Sequence, residues 1–229
     1  MRSAVILAGG ESRRLGAEKS LLEFEGKPLI CWTVEKLSRT ADEVVVVARS
    51  KAHAERLENI ISDTSHAKTK VTFTWDSVAG FGPVAGLSAG MKKARGKLAF
   101  ATGCDLPFLS LQVIERLFEL ADEEGYEAAV PVQPNGFFEP LHCVYHREKM
   151  LLACERAMEK AERRIHAPLQ ELCVRRVDVD LLRPLDPDLL TFFNLNTRED
   201  LEKARALWPE CGKNQYFSKH ECNASDVVL

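Results

Sequence analysis

The sequence predicts an α/β fold, with a mainly parallel central sheet and helices on both faces. Three observations carry that expectation. Apolar or β-branched runs at residues 5–7, 44–48, 71–75, 98–102 and 128–132 suit strands, several buried on both sides. Stretches of helical length separate them, and alternation at this spacing implies parallel strands joined by right-handed crossovers. A glycine pair, Gly9-Gly10, ends the first strand, at the carboxyl edge where such sheets bind ligands.

The elements follow in order. After Val5-Ile6-Leu7, the turn Gly26-Lys27-Pro28 leads to a helix over 29–39, with Leu29, Trp32, Thr33, Lys36 and Leu37 at helical spacing. Strand 44–48 precedes an amphipathic helix over 51–61, and strand 71–75 alternates with threonine. The loop Gly80-Phe81-Gly82-Pro83 opens a helix over 84–94 whose small residues allow close packing on the sheet. Strand 98–102, helix 111–124 and strand 128–132 complete the alternation. The pattern then changes: a turn at 133–136, extended chain over 137–145, a charged helix over 147–164, a short helix over 169–173, an alternating stretch 174–179 and a short strand at 192–194. Thr197 can cap a helix over 198–207. From Pro209 the chain is polar and without period, which predicts loose docking.

Composition excludes several classes. A chain of 229 residues with 45% hydrophobic and 28% charged residues suits one sizeable core. A net charge of −3 argues against nucleic-acid binding by bulk charge, so any phosphate-binding charge is local. No apolar run approaches the ~20 residues of a membrane span, and Met1-Arg2-Ser3 runs into a strand without a secretory core, which predicts a cytoplasmic protein. The seven cysteines are odd in number, scattered and free of C-x-x-C pairs, as expected of reduced thiols. Cys211, His220 and Cys222 read as unrelated tail residues rather than metal ligands.

Residues 3–19 organise the rest. Leu7-Ala8-Gly9-Gly10 offers bare backbone N–H groups, and Arg13, Arg14 and Lys19 follow. Strand, glycine turn and nearby cations describe a phosphate pocket, the alternative being a tight turn before a solvated basic surface. The spacing fits neither the Walker loop, since five residues separate Gly10 from Gly16, nor the dinucleotide fingerprint, since Gly9 and Gly10 are adjacent. Asp105 lies just past strand 98–102, where one carboxylate beside a triphosphate suffices for Mg²⁺; a turn cap is the plainer reading. Asp76 reads by itself as a strand-end cap. Gly82 to Leu87 presents exposed backbone able to read a base edge, or simply packs closely. Asn194 and Asn196 share a face if extended, suited to a polar acceptor or hydrated metal.

The segment Leu7-Ala8-Gly9-Gly10-Glu11-Ser12-Arg13-Arg14-Leu15-Gly16-Ala17-Glu18-Lys19 fills every fixed position of L-A-G-G-x-S-x-R-x-G-x-x-K. It resembles the signature loop of the Rossmann-like nucleotidyltransferases, and most closely that of the molybdenum cofactor guanylyltransferases. Cys104-Asp105-Leu106-Pro107, Gly82-Pro83-Val84-Ala85-Gly86-Leu87 and Phe193 to Leu201 resemble that family's later motifs. Glu139-Pro140-Leu141, with Val144-Tyr145 and Arg163-Arg164, resembles its acceptor side less specifically. One departure stands at Val47-Ala48-Arg49, where some members carry a nucleotide-contacting Asn.

The resemblance implies a three-layer Rossmann-like nucleotidyltransferase domain over 1–208, with a nucleotide half of about 1–132 and an acceptor half of about 133–208; residues 209–229 form a tail outside it. It implies GMP transfer from GTP to the phosphate of molybdopterin or the molybdenum cofactor, releasing pyrophosphate. In that reading Leu7, Ala8, Gly9, Gly10, Lys19, Asp76, Gly82 and Asp105 contact GTP, and Asn194 and Asn196 the acceptor. Arg14, Lys19, Asp105 and Asn196 carry catalysis, and Asp105 holds Mg²⁺. Cofactor synthesis or delivery proteins are the expected partners, with no nucleic acid or membrane. The alternatives are a cytidylyl- or sugar-phosphate nucleotidyltransferase, a metal-dependent glycosyltransferase and a non-catalytic GTP-binding regulator.

Overall fold

The computed structural model describes residues 1–12, 17–67, 69–76, 78 and 81–217. The central sheet uses β1 (Arg2–Leu7), β2 (Glu43–Ala48), β3 (Lys70–Trp75), β4 (Leu98–Gly103), β5 (Ala128–Val132), β6 (His142–His146) and β7 (Val174–Asp178). Their order across the sheet is β7-β5-β6-β4-β1-β2-β3. Every pairing is parallel except those of β6, which runs antiparallel to β4 and β5. β1 lies between β4 and β2, with Leu7 in register with both Gly103 and Val47. The carboxyl ends of the central parallel strands therefore open onto one edge.

Two layers of helices cover the faces. On one side α1 (Leu29–Leu37), α2 (Lys51–Thr64) and α4 (Leu111–Ala121) bury Val34, Leu57, Ile114 and Leu117 against Ile6, Val46 and Phe100. Ser50 and Ser110 cap α2 and α4 by accepting from the backbone N–H groups of His53 and Val113. On the other side α3 (Pro83–Lys93) and α5 (Arg147–Glu159) pack over Val5, Val45, Ala101 and Tyr145. Residues on alternate sides of β1, such as Ile6 and Val5, serve the two layers, as a strand period of two requires.

A third apolar cluster docks the end of the chain. In α7 (Arg198–Phe217) Trp208 meets the ring of Phe24 at 4.9 Å and 86°, and that of Trp32 at 4.9 Å and 64°. Phe108, just beyond β4, joins them with Leu195 and Ala204. Edge-on aromatic pairs contribute about 0.5–1.5 kcal/mol each beyond the area they bury. The chain before α7 is thereby returned to the carboxyl edge of the sheet.

Several boundaries differ from the sequence reading. The charged helix ends at Glu159 rather than Arg164, and Ala161 takes a φ of 58° that stops it. The short helix α6 is His166–Leu169, not 169–173. Residues 192–194 form no strand; a 3-10 turn covers Leu190–Phe192. Side chains satisfy the backbone there: Thr191 N–H donates to Asp186 at 2.8 Å, and the Thr191 hydroxyl accepts from Ser110 N–H at 3.0 Å. The last helix passes through Pro209 to Phe217 instead of stopping at Leu207. Cys222 and His220 lie outside the described residues. Among the described residues, no helix is long and apolar enough to cross a membrane.

The small residues of α3 work as the sequence suggested. A Cβ on Gly90 would stand 2.3 Å from Val5 Cγ1 and 3.0 Å from Val47 Cγ2, both on fully packed strands. Gly90→Ala gains helix propensity of about 1 kcal/mol but overpacks the sheet by roughly 1–3 kcal/mol. The expected result is a net loss of stability, read as a lower urea midpoint with an unchanged slope.

Candidate functional site

The first strand delivers the loop directly. Ala8 N–H donates to Val47 O at 2.9 Å, holding the chain beyond β1 beside the end of β2. Gly9 then passes Arg49 so closely that an added Cβ would stand 3.4 Å from Arg49 Cβ; around Gly10 the space is open. Neither glycine takes positive φ, so what they supply is access to bare backbone rather than an unusual turn. Gly82 is the one with positive φ, 97°, and it forms the entry to α3 with Pro83 following. The start of α3 thus borders the same space through Gly82, Pro83 and Gly86.

That space is a cavity of about 650 Å³. Leu7, Gly9, Gly10, Lys19, Asp76, Gly82 and Asp105 line it together, so most of the proposed nucleotide contacts do converge. Ala8 does not: its side chain is buried in the core, and only its neighbours face the opening. Arg14 lies outside the described residues. Asp76 also acts as the turn residue its sequence suggested, accepting from Val78 N–H at 2.7 Å.

At the floor Lys19 Nζ donates to Asp105 Oδ2 at 2.7 Å and to Asn196 Oδ1 at 2.7 Å. Three distant stretches meet at this one ammonium group. Asp105 is fixed from both sides, since its carbonyl accepts from Leu195 N–H at 2.9 Å and its Oδ1 rests over Gly103. A Cβ on Gly103 would stand 2.5 Å from that oxygen. Leu195 is fully buried and separates the two asparagines. Asn196 serves Lys19, while Asn194 lines a second cavity of about 250 Å³. Asp105, Gly103 and Leu141 border both cavities, which places Asp105 between them.

The sequence reading missed the surroundings of Glu18. Its carboxylate contacts His53 Nε2, Arg49 Nη2 at 3.3 Å and Arg56 Nη1 at 3.6 Å. Arg49 N–H donates to His53 Nδ1 at 3.2 Å, so a neutral ring carries its proton on Nε2, facing Glu18. Burial pushes the His53 pKa down, against the pull of Glu18. This cluster ties the residue before Lys19 to the start of α2 and turns Glu18 away from Lys19's partners. Only the pairing of an acid at 18 with bases at 49, 53 and 56 hinted at it. Gly103 was missed as well, because a glycine at a strand end carries no chemical signal. Cys104 borders the cavity, but burial raises its thiol pKa far above neutrality, which rules it out as a ready nucleophile. Beyond α5, the Arg163 guanidinium stands 5.7 Å from the centre of the Phe81 ring, and Arg163 O lies 3.6 Å from a Cβ built on Gly82.

Residues 4–175 match the model of the MobA-like NTP transferase domain. The chain belongs to this family of nucleotidyltransferases. The transferase is 39% identical over 203 residues to a probable molybdenum cofactor guanylyltransferase of Methanosarcina mazei, covering 88% of each chain. It is 32% identical over 205 residues to the molybdenum cofactor guanylyltransferase of Desulfosudis oleivorans, covering 89% of this chain and 94% of the other. The crystal structure of molybdopterin-guanine dinucleotide biosynthesis protein A from Archaeoglobus fulgidus superposes with a TM-score of 0.76 at 32% identity, over 91% and 99% of the two chains. The Rossmann-like nucleotidyltransferase fold expected from the sequence is the one observed.

Two outcomes follow from this site. Gly103→Ala must displace the Asp105 carboxylate, and a shift of about 1 Å costs roughly 10²-fold in turnover; steady-state kinetics on folded protein checks this. His142, buried on the wall of the second cavity, has its pKa lowered by burial to about 3. The unfolded chain takes up that proton near pH 6.5, so between these values it binds more protons than the folded one. Stability therefore falls as pH drops below about 6.5, by up to ~1.4 kcal/mol per pH unit from this group. His142→Phe should flatten that slope in urea titrations between pH 6.5 and 4.

Proposed function

We propose that the transferase moves GMP from GTP to the terminal phosphate of molybdopterin or its molybdenum form, releasing pyrophosphate. The observation that carries this reading is the position of Asp105: its carboxylate, paired with the Lys19 ammonium, borders two cavities, one lined by Gly9 and Gly10 and one by Glu139, Leu141 and Asn194. The names of the relatives supply the base and the acceptor.

The chain's own groups divide the work. The backbone at Gly9 and Gly10 donates to phosphate oxygens. Lys19, released from Asp105 or sharing it, offsets charge on the transferring group, and Arg14 is assigned the same role on the pyrophosphate side. Asn196 holds the ammonium in line. An acceptor phosphate is already anionic, so alignment and charge neutralisation suffice without a strong general base. The backbone of Gly82 and Gly86, both bordering the cavity, offers hydrogen-bonding groups to the guanine edge.

The donor set also suits Mg²⁺. Among the described residues no group of three acidic, His or Cys side chains gathers, so an ion here relies on Asp105 together with phosphate oxygens, the arrangement Mg²⁺ favours. When bound there, the ion supplies Lewis acidity at the phosphate.

Pyrophosphate release, measured with each of the four nucleoside triphosphates with and without molybdopterin, tests the reading. Release only with GTP and molybdopterin supports it; CTP dependence moves the assignment to a cytidylyl enzyme, and tight GTP binding without release to a regulator. Lys19→Ala and Asp105→Ala should each lower turnover by about 10²–10³-fold, and near-normal turnover in Asp105→Ala overturns its assignment as the metal ligand.

A further inference from the structure

The two edges of the central sheet are not alike. β7, at one edge, carries Arg175, Arg176 and Asp178 among its five residues. Charges of that kind keep an edge strand from pairing with another chain. β3, at the other edge, reads Lys-Val-Thr-Phe-Thr-Trp, with its only charge at the first position. Its β-branched and aromatic residues favour pairing. Its register with β2 is unbroken from Lys70 to Trp75, so neither a bulge nor a proline blunts the edge. Trp75 is 41% exposed, and Thr74, Trp75 and Asp76 line a groove of about 550 Å³ beside the end of the strand.

The direction of the backbone shows which groups the edge offers. Asp76 N–H donates to Ala48 O at 3.2 Å, continuing the ladder to β2. Successive strand residues point their backbone groups to opposite edges. Thr72 and Thr74 therefore face β2 as Asp76 does, and Val71, Phe73 and Trp75 point their N–H and C=O groups away from the sheet. Among the described residues, none of these outward groups has a hydrogen-bond partner. A second β3 laid antiparallel satisfies them in one register. Phe73 stands opposite Phe73 on a two-fold axis and Val71 opposite Trp75, each pair exchanging both of its hydrogen bonds. Between these pairs fall Thr72 opposite Thr74 and, at the ends, Lys70 opposite Asp76. Both are cross-strand pairs of a stabilising kind, β-branched and opposite in charge. Sliding the strands to set Lys70 opposite Thr74 or Val78 loses the charge pair.

We propose that the chain forms a two-fold homodimer in which β3 of one copy pairs antiparallel with β3 of the other, joining the two sheets into one. The occupant of this edge is a second copy because the strand is its own complement in hydrogen bonds and in charge. Such a contact is isologous, with the same patch on both sides, as a closed dimer requires. It holds whatever base or acceptor the transferase uses. It also reaches the site: Asp76 borders the nucleotide cavity, so Lys70 of one copy stands at the rim of the other copy's cavity. The end of β3 beside that cavity is then held from both edges.

Sedimentation velocity on the full chain, from about 1 to about 300 µM protein, tests this. The expected result is a monomer–dimer equilibrium with a dissociation constant of about 1–100 µM, the weak range of a small contact. Trp75→Pro removes an outward N–H from each copy and is expected to weaken the dimer by about 10-fold or more. Lys70→Glu sets like charges opposite each other and is expected to weaken it by about 10-fold. Adding Asp76→Lys to Lys70→Glu reverses the pair and restores the dimer, read by mass alone because Asp76 belongs to the nucleotide cavity. In wild-type amide exchange followed by NMR, Val71, Phe73 and Trp75 should exchange faster on dilution, with Thr72 and Thr74 protected throughout. A monomer at every concentration overturns the proposal and leaves the edge to another partner or to none. A dimer that Trp75→Pro and Lys70→Glu leave at full strength uses another face and overturns it too. So does a double variant that stays monomeric, or outward amides whose exchange ignores concentration. Should Trp75→Pro not fold, the Lys70 variants and the wild-type exchange decide the matter, since Lys70 is exposed.

Discussion

A single ammonium group held between a carboxylate and an amide is the contact on which the site depends. Lys19 comes from the loop beyond β1, Asp105 from the end of β4 and Asn196 from the approach to α7. Each distance is 2.7 Å, so a small shift of any one segment breaks the junction. Parallel pairing of β1 with β4 brings the first two together. The third is brought by aromatic packing of Trp208 on Phe24 and Trp32, far from the chemistry. A structural cluster and a functional one are thus two ends of the same chain segment.

Glycine has a different physical task at each place around the cavity. Gly10 leaves open space, Gly103 leaves room for the Asp105 carboxylate, and Gly82 alone needs its left-handed φ. Farther in, Gly86 and Gly90 bring α3 against Leu7, Val5 and Val47. That close approach sets the distance between the helix start and the Gly9–Gly10 loop. Packing and ligand access are therefore coupled through small residues, which is why the sequence left the two readings of the Gly82–Leu87 stretch open.

Legibility in the sequence followed the range of the interaction. The buried strands were readable because two-sided burial imposes continuous apolar runs, and Thr197 was readable as a cap because its hydroxyl accepts from Asp200 N–H only three residues on. Phe192–Asn194 misled because a run of aromatic residues suits a strand, yet the N–H groups of Phe192 and Phe193 donate to the carbonyls of Leu189 and Leu190 in a 3-10 turn, which Asp186 and Ser110 hold through Thr191. The helix boundary at Glu159 depended on one residue, Ala161, adopting a conformation its type rarely takes. That Lys19 and Asp105 border one cavity was legible through the loop motif and the position after strands. The Glu18–His53–Arg49 cluster was not, since its members lie on separate elements and none carries a motif.

What the sequence determined by itself was the alternation of elements, the phosphate-loop motif and the identity of the charged groups at the strand ends, all properties of residues close together along the chain. What only the tertiary structure decided was which of those groups touch: Asn196 on Lys19, Glu18 turned aside, and His142 against Thr191. The physical reason is that local propensity acts over a few residues. A hydrogen bond closed across the fold depends instead on strand order, on helix packing and on how each buried polar atom is satisfied by the rest of the chain.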